Sequence, residues 1–139
     1  MKARIKWNEG VSFVAESGSG HAIVVDGASD AGGKNLGPRP MELVLMGTAA
    51  CSAFDVVLIL KRGRQDILDC IAEAEAERAD ADPKAFTKIH LHFVLKGRNL
   101  DSAKVARAIE LSAEKYCSAS AMLAKTAIIT HDFELVEVQ

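Results

Sequence analysis

The sequence lacks the marks of several common classes of protein. Its charge is nearly balanced, with 17 Lys and Arg against 19 Asp and Glu and a formal net charge of -2, so it has no basic footprint for nucleic acid. Its first residues make a poor signal peptide, because MKARIKW runs into Asn8, Glu9 and Gly10 instead of an apolar stretch, and no secretory leader is expected. The GxGxxG and Walker patterns are missing, which argues against nucleotide binding. GxSxG, HExxH and EF-hand patterns are missing as well. There is no internal repeat and no sign of a second domain. Cysteines number only three, an odd count that does not imply a complete disulfide framework. Without a leader the expected compartment is a reducing cytoplasm, where any bridge is transient and chemical rather than structural.

What is present is a chain of 139 residues, 49% apolar, enough for one domain over 1–139 with a substantial core. Residues 2–7 alternate Lys2, Arg4 and Lys6 with Ala3, Ile5 and Trp7, the period of a half-exposed strand. Asn8-Glu9-Gly10 turns the chain into a second strand with Val11, Phe13 and Ala15, and Ser17–Gly20 turns it into a third over 21–26. An antiparallel meander is expected. Residues 27–36, rich in small and polar types, read as a flexible loop.

Pro38 and Pro40 then introduce a long helix, since proline is tolerated in a first turn. Gly63 is the expected stop, and Lys61, Arg62 and Arg64 suit the negative end of the helix dipole. Residues 43–60 are apolar almost all round, which predicts burial on every side. Their length approaches the roughly 20 residues of a membrane span. Asp55 near the middle and the many small residues favour a buried soluble helix, with no membrane association.

Residues 67–78 alternate Cys70, Ala72, Ala74 and Ala76 with Glu73, Glu75 and Glu77, and that period outweighs the helix preference of Ala and Glu. With the clearer strand at 86–96 it forms a hairpin. Asp101 is a fair N-cap for a helix through Tyr116. Cys117–Ser120 breaks that helix, a short one follows to about Lys125, and a final strand covers 127–138. The fold class is α+β.

The cysteines carry the candidate chemistry. Taken alone, the apolar surroundings of Cys51 predict an inert thiol with a raised pKa. Cys117 precedes Ser118, a possible N-cap, so it belongs near a helix N-terminus where the dipole favours thiolate. Cys70 reads as packing. Sixty-six positions separate Cys51 and Cys117, a spacing that matches neither a CxxC motif nor a zinc site and implies no pairing. His90 and His92 share a strand face, a spacing that can hold a metal. No cysteine or carboxylate clusters beside them in sequence, so a solvated or packed role is expected and no metal site.

GPRPMELVLMGTAACSAFDVVLILKRGRQ (37–65) together with AEKYCSASAML (113–123) resembles the OsmC/Ohr family, the osmotically induced and organic hydroperoxide resistance proteins, and within it the YhfA-like branch. The resemblance spans essentially the whole chain. It implies an intertwined homodimer with long central helices against sheets. It further implies a thiol peroxidase acting on organic hydroperoxides in oxidative stress defence, with Cys51 as peroxidatic and Cys117 as resolving cysteine. No cofactor is implied beyond an external dithiol reductant, lipoyl or small-molecule. Family members activate the thiol with a glutamate near the helix start and an arginine from the first hairpin. Glu42 corresponds to the acidic position, Met41 replaces a second carboxylate, and Asn8-Glu9-Gly10 stands where the arginine is found. Arg39 is the nearest substitute in sequence.

Helix geometry qualifies that assignment. Nine residues at 100° put Glu42 about 180° around the axis from Cys51 and about 13 Å along it. Glu42 therefore sits on a folded-back loop, serves a partner subunit or caps the helix. Asp55, one turn after Cys51, opposes thiolate formation. The alternative function is a dimeric OsmC-fold protein that binds a hydrophobic small molecule with little or no peroxidase activity.

Overall fold

A computed structural model describes residues 1–139, and its backbone contacts divide them into two units, Met1–Val44 and Leu45–Gln139. In the first unit, β1 (Ala3–Trp7), β2 (Ser12–Ser17) and β3 (Ala22–Asp26) form an antiparallel sheet in that order. Ala3, Ile5 and Trp7 pair with Ser17, Ala15 and Phe13, as the alternation predicts. The apolar side of β1 stays open within the chain, with Ile5 61% and Trp7 64% exposed.

The segment after β3 is tied down, contrary to the flexible loop expected. Asp26 is buried, and its carboxylate accepts from the backbone N–H groups of Gly27, Lys34 and Leu36 at 2.9, 2.9 and 3.2 Å. Those bonds, led by Lys34 and Leu36, hold the Asp26 carboxyl below its usual range. Gly33 serves close packing: a Cβ there would lie 1.9 Å from the Gly27 carbonyl oxygen. Composition conveyed small residues but not the anion they fold around.

Helix α1 (Pro40–Arg62) begins at the second proline as expected. Its end differs in detail. The left-handed residue is Arg64, at φ 56°, not Gly63. The Gln65 N–H reaches the Leu60 carbonyl at 2.9 Å and the Arg64 N–H that of Lys61 at 3.0 Å, a Schellman closure with arginine in the position glycine normally takes.

The second unit holds the other sheet, in the order β4 (Asp66–Arg78), β5 (Phe86–Arg98), β6 (Ile128–Glu137). β4 and β5 form the antiparallel hairpin, and β6 pairs parallel to β5. Between β5 and β6 the chain forms α2 (Ser102–Leu111), a π-helical turn (Ser112–Tyr116) and α3 (Ser118–Leu123). Asp101 caps α2 as predicted, its carboxylate accepting from Ala103 and Lys104 N–H. The core draws on Ile89, Leu91, Phe93 and Leu95 of β5, Val56 and Leu60 of α1, and Val105, Ala108 and Ile109 of α2.

Burial of α1 on every side is not found within one chain. The buried set is Thr48, Ala49, Ser52, Val56 and Leu60, a stripe at four-residue spacing. On the opposite face Met46 is 57% and Phe54 67% exposed. The helix is long and apolar enough to cross a membrane by length and composition, which a core helix of a soluble protein also is.

Candidate functional site

The stripe that faces the core delivers Cys51 and Asp55 to one side of α1, one turn apart. Thr48, Ser52, Val56 and Leu60 anchor the helix, and Cys51 and Asp55 flank that line half-buried. Cys117 arrives from the other side. The π-helical turn closes with the Cys117 N–H donating to the Ser112 carbonyl at 2.8 Å, after which Cys117 takes an extended conformation at φ -71°, ψ 101°. π-Turns of this kind recur at functional sites. The result is a tight cluster in which Cys51 Sγ, Cys117 Sγ and an Asp55 carboxylate oxygen all lie within 4.8 Å of one another.

A serine network supports the cluster. Ser52 and Ser112 hydroxyls lie 3.1 Å apart, and Ser112 Oγ is 3.2 Å from Asp55 Oδ2 and 3.4 Å from the Ser52 carbonyl. Both serines are buried, so these bonds satisfy groups that water cannot reach. The hydroxyl of Ser112 thereby fixes the orientation of the Asp55 carboxylate.

Cys117 itself is the N-cap of α3, a place the sequence assigned to Ser118. Its sulfur accepts from the Ser120 N–H at 3.4 Å. The expected fall in its pKa does not occur. Burial pushes the Cys117 thiol up, the Ser120 hydrogen bonds offset part of that, and the neighbouring Cys51 pushes it further up. Cys117 is 2% exposed whereas Cys51 is half-buried, so Cys51 is the more accessible thiol. Cys70 is half-buried and raised by burial and then by Asp69, in keeping with a packing role.

Glu42 and Arg39 are engaged with each other at the start of α1. Glu42 Oε1 accepts from the Arg39 N–H at 2.9 Å and from Arg39 Nη1 at 3.2 Å. Since α1 starts at Pro40, this is one half of a capping box, the Glu42 carboxylate accepting from the backbone N–H of the residue before the helix. The folded-back loop is not formed. These bonds hold the Glu42 carboxyl below its usual range.

The histidines have a partner that sequence order concealed. β5–β6 register sets His92 opposite Asp132 and His90 opposite Thr130. Asp132 Oδ1 lies 2.7 Å from His92 Nδ1 and 3.0 Å from His90 Nε2, and His90 Nδ1 lies 2.7 Å from Thr130 Oγ1. The expectation of no carboxylate beside the pair is therefore overturned by a strand 40 residues downstream.

The family model described as OsmC-like protein matches residues 32–132, a span that contains both cysteines and the whole serine network. The chain belongs to the OsmC family. Protein YhfA of Escherichia coli strain K12 is 54% identical over 136 residues, covering 98% of each chain. Among solved structures, a hypothetical protein from Aquifex aeolicus VF5 is 26% identical, with a TM-score of 0.87 over 99% of this chain and 97% of its own. An organic hydroperoxide resistance protein OsmC from Legionella pneumophila, also described as a predicted redox protein, shares the fold at 16% identity, with a TM-score of 0.73 over 96% of this chain and 95% of its own. The α+β architecture is thus the OsmC/Ohr fold, and solved proteins of that fold include ones named for hydroperoxide resistance.

Proposed function

We propose that the protein is a cysteine-based thiol peroxidase that reduces organic hydroperoxides, with Cys51 as the peroxidatic and Cys117 as the resolving thiol. The observation that carries this reading is the approach of two sulfurs 66 residues apart to within 4.8 Å. In the first step the Cys51 thiolate attacks the distal peroxide oxygen, the O–O bond breaks, and the alkoxide leaves as alcohol after taking a proton. Cys51 is then a sulfenic acid. The Cys117 sulfur attacks Cys51 Sγ and expels the hydroxyl as water, closing a disulfide. Closure asks the sulfurs to move to about 2.05 Å. A dithiol reductant, lipoyl or small-molecule, returns both thiols through a mixed disulfide. No resident cofactor enters, and a reducing cytoplasm supplies the reductant in a role of oxidative stress defence.

Cys51 is assigned the attack because it is the more exposed thiol. An apolar groove of about 400 Å³, lined by Leu45, Met46, Ala49, Ala53, Ala72 and Ala74, runs along the face of α1 turned away from Cys51. The apolar residues of α1 around Cys51 favour an alkyl or aromatic hydroperoxide over hydrogen peroxide. Arg39 and Glu42 act in this scheme by fixing the start of α1.

A second reading has its own support. The ionisable group gathered with the two sulfurs is a carboxylate, Asp55, and not a cation of the kind that activates a thiol. A protein that binds a hydrophobic small molecule in the groove, with little or no peroxidase activity, fits that observation. Turnover of cumene hydroperoxide with a dithiol reductant separates the two. The peroxidase reading expects turnover that Cys51→Ser abolishes. Absence of turnover, with no Cys51–Cys117 disulfide in the mass spectrum after peroxide, removes it in favour of the binding protein.

A further inference from the structure

The same cluster has the composition and spacing of a metal site, and we infer that the reduced protein binds a borderline-soft divalent cation, zinc in the first instance, through Cys51, Cys117 and Asp55. The donor atoms are two sulfurs and one carboxylate oxygen, within 4.8 Å of one another. Zinc takes sulfur at about 2.3 Å and carboxylate oxygen at about 2.0–2.2 Å in tetrahedral geometry. Tetrahedral angles then set neighbouring donors roughly 3.5–3.8 Å apart. Atoms already within 4.8 Å of one another have about 1 Å to close to reach that spacing.

The backbone fixes the directions of approach. Cys51 and Asp55 stand at i and i+4 on one face of α1, as two ligands to one ion require. Cys117 comes from the opposite side, at the junction of the π-turn and α3. The surroundings orient the donors. The Ser112 hydroxyl lies 3.2 Å from Asp55 Oδ2, and the Ser120 N–H points at Cys117 Sγ from 3.4 Å. Partners of this kind hold ligands in place and contribute to affinity. Two thiols and a carboxyl gathered in a half-buried place are all negative when ionised, and a divalent cation offsets that repulsion. With three protein ligands a fourth position stays open to water or to an exogenous thiol.

This inference does not depend on peroxide reduction, since it needs only the reduced thiols. The test uses the full-length, anaerobically reduced protein with no peroxide, titrated with zinc chloride by calorimetry and with cobalt(II) by absorption. Expected are one equivalent of zinc per chain, and for cobalt a thiolate-to-metal charge-transfer band with tetrahedral visible bands. Cys51→Ser and Cys117→Ser each lower the charge-transfer intensity, Asp55→Asn weakens zinc at least tenfold, and Cys70→Ser changes neither. Far-ultraviolet circular dichroism identifies the folded variants. Asp55→Asn preserves size and can still accept from Ser112, so it reports even if a cysteine variant misfolds. Cobalt bound without charge transfer, or zinc affinity unchanged in Asp55→Asn, overturns the site. Turnover without zinc binding overturns it alone and leaves the peroxidase reading standing.

Discussion

At the scale of single residues, the proposed division of labour between Cys51 and Cys117 rests on access and distance. Stoichiometric peroxide added to Cys117→Ser is expected to leave Cys51 as a sulfenic acid, trapped by dimedone and seen as a mass shift on the Cys51 peptide. Cys51→Ser should give no such adduct at Cys117. The reverse pattern would exchange the two roles. Much of this centre was legible from family motifs, which named both cysteines, and from helix period, which set Asp55 one turn from Cys51. Ser112 was not legible. It lies 60 residues from Ser52, and only the packing of α2 and its π-turn brings the hydroxyls together.

A second residue-scale prediction concerns His92. Its pKa is raised above 6.5, chiefly by the hydrogen bond to Asp132, and that of Asp132 is lowered below 3.8, chiefly by His92. For His92, the folded value exceeds the unfolded one, so its stabilisation is full below about 6.5 and is lost as pH rises through the folded pKa. For Asp132 the sense is opposite: its contribution is present above about 3.8 and disappears as pH falls through its lowered value. The pair therefore helps most between those limits. Asp132→Asn should lower the His92 pKa in an NMR titration and narrow the stability gap from wild type as pH goes from 5.5 to 8. A gap that does not vary over this range would remove the ion pair from the stability of the sheet.

At the scale of elements, α1 shows what pattern can and cannot convey. Its start at Pro40 and its end near Gly63 followed from proline placement and basic residues. The left-handed Arg64 did not, because several polar residues near a helix end can take that conformation and tertiary closure selects one. Arg64→Gly should stabilise the protein by about 0.5–1 kcal/mol by relieving a left-handed side chain. The reading is thermal or denaturant unfolding, and no gain would mean that lost chain entropy cancels it. Strands β4 and β5 were legible because a period of two survives even in the alanine- and glutamate-rich run Cys70–Glu77 of β4. Leu60 is 1% exposed, so Leu60→Ala should cost about 2–5 kcal/mol. Phe54→Ala, on the open face, should cost far less in the monomeric chain.

At the scale of the molecule, two apolar surfaces stay open within one chain, the Met46 and Phe54 side of α1 and the Ile5 and Trp7 side of β1. Exposure of this kind is typical of interaction surfaces, and it explains why a hydrophobic stretch predicted to be buried all round is buried on one stripe only. Hydropathy reports that a surface avoids water and does not report which chain covers it. We propose the homodimer as the cover. Sedimentation should give twice the chain mass, with a melting temperature that rises with concentration, and Phe54→Glu should shift the species toward monomer. A wild-type monomer at all concentrations would exclude this.

The parallel pairing of β6 with β5 sets an order of events. A parallel neighbour requires a crossover, and here that crossover is the segment that bears Cys117. Long-range pairings of this type are slow to form. Until closure, the two thiols are strangers on one string, and in the proposed cycle an oxidised Cys51 has no intramolecular rescuer. A sulfenic acid formed on an unfinished chain is free to pass to the irreversible sulfinic state. On that cycle newly made copies would be the vulnerable ones, and resistance to over-oxidation would be a property each molecule acquires with its last strand.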